Sequence, residues 1–141
     1  MTRLAFSLLL GLVFAGQTTA PSTAPSRSAN DGVYTAAQVA RGKTAYAKDC
    51  ARCHGDTLLG NDDAVPLVGR EFLKKWEGQS VGKLVDLTQK EMPSDGPGKL
   101  TRRQCTDIAA FVLSSNGYPA GQSELAPELN ILNAILIQPK K

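Results

Sequence analysis

The sequence has few of the residues from which proteins build polar metal sites and large cores. Its 141 residues include one histidine, two methionines, one tryptophan and three cysteines, and aromatic residues make up 6%. A site with two histidine ligands from this chain is therefore excluded. The small aromatic content indicates a modest protein core, so we expect another group to fill part of the centre. Three cysteines cannot form a complete set of intramolecular disulfides.

Dense clusters of one charge and alternating strand patterns are also missing. Basic residues are scattered among acidic ones, with a formal net charge of +3. This is not the charge pattern of a nucleic-acid-binding protein, and no nucleic-acid partner is expected. No segment alternates convincingly between apolar and polar residues, so the sequence predicts an all-α, loop-rich fold.

The one strongly apolar run has the layout of a secretory signal peptide. Arg3 precedes apolar residues 4–14, and small residues lead up to Ala20. We expect residues 1–20 to be this signal and the mature protein to be periplasmic, without a stable membrane span. An uncleaved N-terminal anchor is the alternative, although the run is short for a span. The Pro- and Ser-rich residues 21–33 are predicted to be a flexible linker.

Helical spacing and helix caps predict one domain over residues 34–118. Thr35 and Thr101 are N-cap residues, and Gln38 and Gln104, three residues later, complete capping boxes. Turn-rich loops separate the helices. The predicted helices are residues 36–49, residues 71–77, residues 81–90 and a last helix that follows Thr101 and ends at Asn116.

Residues 119–141 are predicted to form a C-terminal arm. They contain the apolar run Ile131–Ile137 and then a basic end. The arm either packs irregularly over the domain or binds a partner through this run.

The stretch DCARCHG, Asp49–Gly55, concentrates the reactive side chains of the chain. Cys50 and Cys53 are three residues apart, and the single histidine, His54, follows directly. Two thiols at this spacing reach the two vinyl groups of a haem, and the adjacent imidazole reaches the iron. The motif predicts one covalently attached haem c with His54 as an axial ligand.

Three other kinds of site compete for these residues. A thioredoxin-like redox pair expects a βαβ context, which the helical pattern lacks. A zinc site needs four ligands, so it would have to recruit Cys105 and a carboxylate. A structural disulfide between Cys50 and Cys53 would leave His54 without a role. Export, the all-α pattern and the order of the motif favour haem attachment.

The second axial ligand must come from a restricted set. After removal of residues 1–20, Met92 is the only methionine. It precedes Pro93 in the loop MPSDGPG, where a methionine that merely fills the core is not expected. A thioether opposite the imidazole of His54 favours reduced iron and raises the reduction potential. With both axial positions occupied, substrate binding at the iron is disfavoured.

These features resemble those of class I monohaem c-type cytochromes, in which a helix precedes the attachment motif, a methionine loop follows it and a helix closes the domain. The sequence is most similar to periplasmic cytochromes associated with quinoprotein (PQQ-dependent) alcohol dehydrogenases. The similarity covers about Tyr34 to Gly121. It depends on QVARGKTAYAKDCARCHG, PLVGREF, WEG, MPSDGPGKLT and DIAAFVLSSNGYPAG.

The resemblance implies a small cytochrome c fold whose N- and C-terminal helices cross around the covalent haem. Gly42 and Tyr46 on the first helix match the crossing positions, as do Ile108 and Phe111 on the last. Cys105 departs from the family pattern. Its helical spacing predicts a small buried apolar residue, and an intermolecular disulfide is the alternative.

Two further residues receive roles from the resemblance. The carbonyl of Pro66, in the pair Pro66–Leu67, is the candidate acceptor for the ring N–H of His54, a bond that orients the imidazole. Trp76 would lie near the haem edge, and ordinary core packing is the alternative for its side chain.

The resemblance implies an electron carrier rather than an enzyme. Its expected partners are periplasmic redox proteins, with a quinoprotein dehydrogenase and a terminal oxidase as candidates. The alternatives are an open-site haem protein, either an enzyme or a gas sensor, and a dedicated cytochrome subunit of one dehydrogenase complex. Surface lysines either dock an acidic partner weakly or are simply solvated. These lysines are Lys43, Lys48, Lys74, Lys75, Lys83, Lys90 and Lys99.

Overall fold

The fold is all-α, as predicted, in a computed structural model that describes residues 26–140. The predicted signal peptide lies outside these residues. None of the described helices has the length and apolar character that a membrane crossing requires. The helices are α1 (Ala36–Asp49), α2 (Ala51–His54), α3 (Gly69–Trp76), α4 (Val81–Glu91), α5 (Arg102–Ser115) and α6 (Leu129–Asn133), and the two-residue strands are β1 (Arg27–Ser28) and β2 (Ile135–Leu136).

The predicted caps set the starts of the long helices. Thr35 Oγ1 accepts a hydrogen bond from Gln38 N at 3.2 Å, and α1 begins at Ala36, directly after Thr35. At the start of α5, Thr101 and Gln104 form the complete capping box, in which Thr101 N donates to Gln104 Oε1 at 2.9 Å. Each bond satisfies a backbone group that the first turn of a helix leaves without a partner.

The most extensive contact between two helices joins α1 to α5. A Cβ atom on Gly42 would lie 1.8 Å from the carbonyl oxygen of Asp107, so only glycine allows this approach. The ring of Tyr46 packs against that of Phe111, with centroids 5.3 Å apart. The contact implied by the resemblance is thus confirmed at Gly42, Tyr46 and Phe111, whereas the buried Ile108 lines the cavity described below.

The N-terminal residues of the described region belong to the domain. Residues 29–31 form a 3-10 turn after β1, and Ala29 and Val33 are buried. The strands β1 and β2 pair in parallel. The prediction of a flexible linker over residues 21–33 is therefore wrong for residues 27–33, because a short turn and strand bury apolar side chains without any helical periodicity.

The C-terminal arm also packs into the core. Gln38, which is buried, accepts a hydrogen bond from Leu125 N at 2.8 Å and donates one to Leu125 O at 3.0 Å. The capping box predicted for Gln38 is therefore wrong in its second half, since this side chain binds the arm rather than the helix start. Of the two roles predicted for the arm, packing over the domain is the one observed. Its buried apolar residues are Leu125, Leu132, Ile135 and Ile137.

We expect Gln38→Leu to lower the free energy of unfolding by about 1–3 kcal/mol, because it leaves the buried N–H and C=O groups of Leu125 without partners. Chemical denaturation of the haem-loaded protein measures this change. Gln122→Leu, at an exposed position, is the matched control and should leave stability within about 0.5 kcal/mol of wild type. Equal stability of the two variants would contradict the role of Gln38.

Candidate haem site

The attachment motif is held at the junction of two helices. Cys50 is the C-cap of α1, and its carbonyl oxygen accepts hydrogen bonds from Cys53 N at 3.1 Å and His54 N at 3.0 Å. Gly55 is the C-cap residue of α2, and its φ of +75° favours glycine. This single turn directs Cys50, Cys53 and His54 to one cavity, which all three line.

The imidazole of His54 is held by a backbone carbonyl. His54 is 9% exposed, and its Nδ1 lies 2.9 Å from the carbonyl oxygen of Val65. Because a carbonyl oxygen only accepts, Nδ1 must carry the proton of the neutral ring, which leaves Nε2 free to bind a metal. A bond of this kind fixes the ring orientation and increases the basicity of the ligand.

The carbonyl group that accepts this bond belongs to Val65, so the prediction that Pro66 supplies it is wrong. The loop after His54 folds back on itself, with Asn61 N bonded to Ala64 O at 3.0 Å and Leu67 N bonded to Leu58 O at 2.8 Å. This register presents the carbonyl of residue 65 to the ring. Pro66 itself lines the cavity.

Met92 reaches the same cavity from the end of α4. It is the C-cap residue of that helix, and its N–H donates to Thr88 O at 3.1 Å. Its backbone is extended, with φ −117° and ψ 150°, so the chain leaves the helix at this residue. The half-buried Met92 lines the cavity together with His54. Its predicted role as an axial ligand stays a prediction.

The cavity is large and mainly apolar. Its volume of about 890 Å³ lies within the usual size of a ligand or cofactor pocket. Trp76 is buried and lines this cavity, and its ring centroid lies 6.4 Å from that of Phe72. The indole therefore belongs to both the core and the cavity wall. The other apolar lining side chains include Leu67, Leu84, Leu87, Ile108, Ala109 and Val112.

The residues present fit a covalently attached haem. Two thiols, one imidazole and one thioether line a single apolar cavity, which is the donor set of a c-type site with histidine and methionine ligands. Within residues 26–140, no group of three or more His, Cys, Asp or Glu side chains is arranged to hold a metal ion.

The raised pKa of Cys50 is unlike that of a nucleophilic redox cysteine. Burial, followed by the charge of Asp49, raises the pKa of the Cys50 thiol to about 11. The nucleophilic cysteine of a C-x-x-C oxidoreductase has a lowered pKa instead. Burial also raises the pKa of Cys105 to about 11, and this residue is fully buried in the core, as its helical spacing predicted.

Tyr46 supports the motif in a way that the sequence analysis missed. Its hydroxyl donates a hydrogen bond to the carbonyl oxygen of Gly55 at 2.7 Å, so α1 is tied to the residue that ends α2. Burial is the main cause that raises the pKa of Tyr46 to about 12, which keeps this donor protonated. The available signal was a tyrosine one helical turn before Cys50.

The predicted docking lysines have different surroundings. Lys74 and Lys75 line the cavity, and Lys75 Nζ lies 5.5 Å from the centroid of the Trp76 ring. Lys90 and Lys99 take part in ion pairs with carboxylates. Of the seven predicted docking lysines, Lys74 and Lys75 are therefore the two that lie at the candidate site.

One protein-family model matches a large part of the domain. Residues 37–112 match a family model described as "Cytochrome C oxidase, cbb3-type, subunit III". No curated protein matches the chain. A solved structure, the sulfane dehydrogenase SoxCD from Paracoccus pantotrophus, is similar with a TM-score of 0.47 and 24% identity. That similarity covers 74% of this chain and 59% of the SoxCD chain.

The matched residues of the family model contain the attachment motif, Met92 and most of α5, and they make up more than half of the chain. An association with quinoprotein alcohol dehydrogenases is not part of these findings and stays a prediction. The chain belongs to the cytochrome c family that the cbb3-type subunit III model describes, and its domain is a haem-binding electron-transfer domain.

Proposed function

We propose that the protein is a periplasmic c-type cytochrome that carries single electrons by means of one covalently bound haem. Cys50 and Cys53 would hold the haem through thioether links, and His54 and Met92 would bind its iron. The observation that carries the proposal is that all four side chains line one apolar cavity. A haem bound there supplies a reversible one-electron change between Fe(II) and Fe(III).

The protein residues hold and tune the site. The carbonyl of Val65 keeps the imidazole of His54 in one orientation and one tautomer. Apolar side chains from α3, α4 and α5 exclude water from the cavity, and burial of this kind is one of the factors that set a reduction potential. Ligation by Met92 would raise the potential further and keep other ligands from the iron.

The N-terminal sequence supports a periplasmic location, because a basic residue, an apolar run and small residues precede residue 21. For the partners, we propose a quinoprotein dehydrogenase as electron donor, based on the sequence resemblance. The family description names a cbb3-type oxidase, which supports a terminal oxidase as acceptor. Packing of the C-terminal arm into the core favours a mobile carrier over a subunit docked through Ile131–Ile137.

The double substitution Cys50→Ala with Cys53→Ala is expected to abolish covalent haem, because both thioether links are lost. The measurement is haem staining after denaturing electrophoresis of protein made in a host with cytochrome maturation. Cys105→Ala is the matched control and should keep the stain, since this thiol does not line the cavity. A stained double variant, or a colourless wild type, would overturn the proposal.

Met92→Ala is expected to remove the weak far-red absorption band of the oxidised protein that reports a bond between methionine sulfur and iron. The reduction potential should fall, because the thioether favours the reduced state. Leu87→Ala, which removes another side chain that lines the cavity, is the control and should keep the band. A wild-type protein without this band would instead support an open-site haem protein.

Reversing the charges of Lys74 and Lys75 to glutamate is expected to slow reduction by a quinoprotein alcohol dehydrogenase about tenfold at low salt, if the partner presents an acidic surface. Stopped-flow kinetics measures the second-order rate constant. The difference should shrink at high salt. Lys43→Glu with Lys48→Glu, on α1, is the control with the same charge change. Equal rate constants for both pairs would contradict docking at the cavity.

A further inference from the structure

Two ion pairs join the haem-attachment segment, residues 49–54, to the Met92 loop, residues 92–99. Arg52 Nη2 lies 2.5 Å from Asp95 Oδ2. The second pair joins Lys99 and Asp49.

Lys99 Nζ lies 3.4 Å from Asp49 Oδ1, so each segment supplies one acidic and one basic side chain. This arrangement specifies one register. A loop shifted in one direction along the attachment segment would bring Asp95 towards Asp49. A shift in the other direction would bring Lys99 towards Arg52, so like charges disfavour either shift.

In the part of the chain that the structure describes, these pairs are the polar links between the two segments. The other hydrogen bonds of the Met92 loop run elsewhere. Met92 N donates to Thr88 O in α4. Within the loop, Gly96 N donates to Pro93 O at 2.9 Å and Lys99 N donates to Gly96 O at 3.4 Å. The internal bonds shape the loop but do not hold it against the attachment segment.

The two pairs differ in exposure. The side chains of Arg52 and Asp95 are 75% and 50% exposed, so their attraction is weak and screened by salt. Asp49 is only 10% exposed, whereas Lys99 is 49% exposed. The pair that contains the mostly covered carboxylate of Asp49 is less accessible to solvent, and we expect it to contribute more.

We infer that the two ion pairs position the Met92 loop and set how readily Met92 gives way to an added ligand. Asp95 and Lys99 follow Met92 closely, so a loop that swings away from the cavity must separate both pairs. The pairs therefore reduce the population in which an added ligand can enter. Arg52, Asp95, Asp49 and Lys99 are positioning residues that act through Met92, and the inference rests on the proposed ligation by Met92.

Imidazole titration of the oxidised holoprotein at pH 8 tests this inference, with the far-red band as the readout of Met92 ligation. Imidazole is largely neutral at this pH, so the change of protein charge does not alter its attraction. Arg52→Gln and Lys99→Gln are each expected to bind imidazole about two- to fivefold more tightly than wild type at low salt. In 1 M salt the difference should become smaller, because the pairs are partly exposed.

Two controls separate positioning from general effects of charge. Arg103→Gln removes the same charge and an exposed ion pair with Glu124 at 3.1 Å, which joins α5 to the arm, and it should keep the wild-type affinity. Arg52→Gln combined with Asp95→Asn should match Arg52→Gln alone, because both substitutions remove one interaction.

The outcomes distinguish this inference from the proposed function. If the wild-type protein shows the far-red band and Arg52→Gln and Lys99→Gln bind imidazole more tightly, the proposed function and this inference are both supported. If the wild-type protein shows the band but these variants keep its imidazole affinity, the inference is overturned and the proposed function stands. The same holds if the imidazole affinity of Arg103→Gln increases equally. A wild-type protein without the band overturns ligation by Met92 and the inference with it.

Discussion

The close contact between α1 and α5 is the constraint on which the rest of the domain depends. Gly42 has no side chain at this contact, so the backbone of α1 lies against the carbonyl group of Asp107. One turn further along α1, Tyr46 packs on Phe111. α1 therefore ends at a defined place, and its C-cap, Cys50, lines the same cavity as side chains from α5. A bulkier residue at the contact would move the attachment motif relative to the cavity wall.

The candidate site combines a local part with a distant part. The cysteines and the histidine of the motif share one turn and need only the end of α1 to be placed. Met92 comes from the far end of α4, so its position depends on the packing of α4 against α5. The cavity between these parts has a volume of about 890 Å³. In the proposed function, the cofactor is the largest apolar body of the domain.

Local signals predicted the main helices and the attachment motif. α1 covers residues 36–49 as its cap and periodicity indicated, and the capping box at Thr101 is complete. These features depend on residues three or four positions apart, whose relative placement a helix fixes by itself. The haem prediction from Cys50, Cys53 and His54 has the same origin, since one turn of chain carries all the required chemistry. Membership of a cytochrome c family agrees with it.

The sequence by itself therefore determined the main helices, the thiols and the imidazole, and its composition left Met92 as the candidate for a second ligand. Only the tertiary structure decided which groups meet across the fold. The carbonyl of Val65 rather than Pro66 accepts from His54, because the loop register selects it. Gln38 binds Leu125, 87 residues away, and residues 27–33 join the core through a strand pair with the arm. The physical reason is that hydrogen bonds between distant residues depend on how helices pack and loops fold back, and no local pattern in the chain records that arrangement.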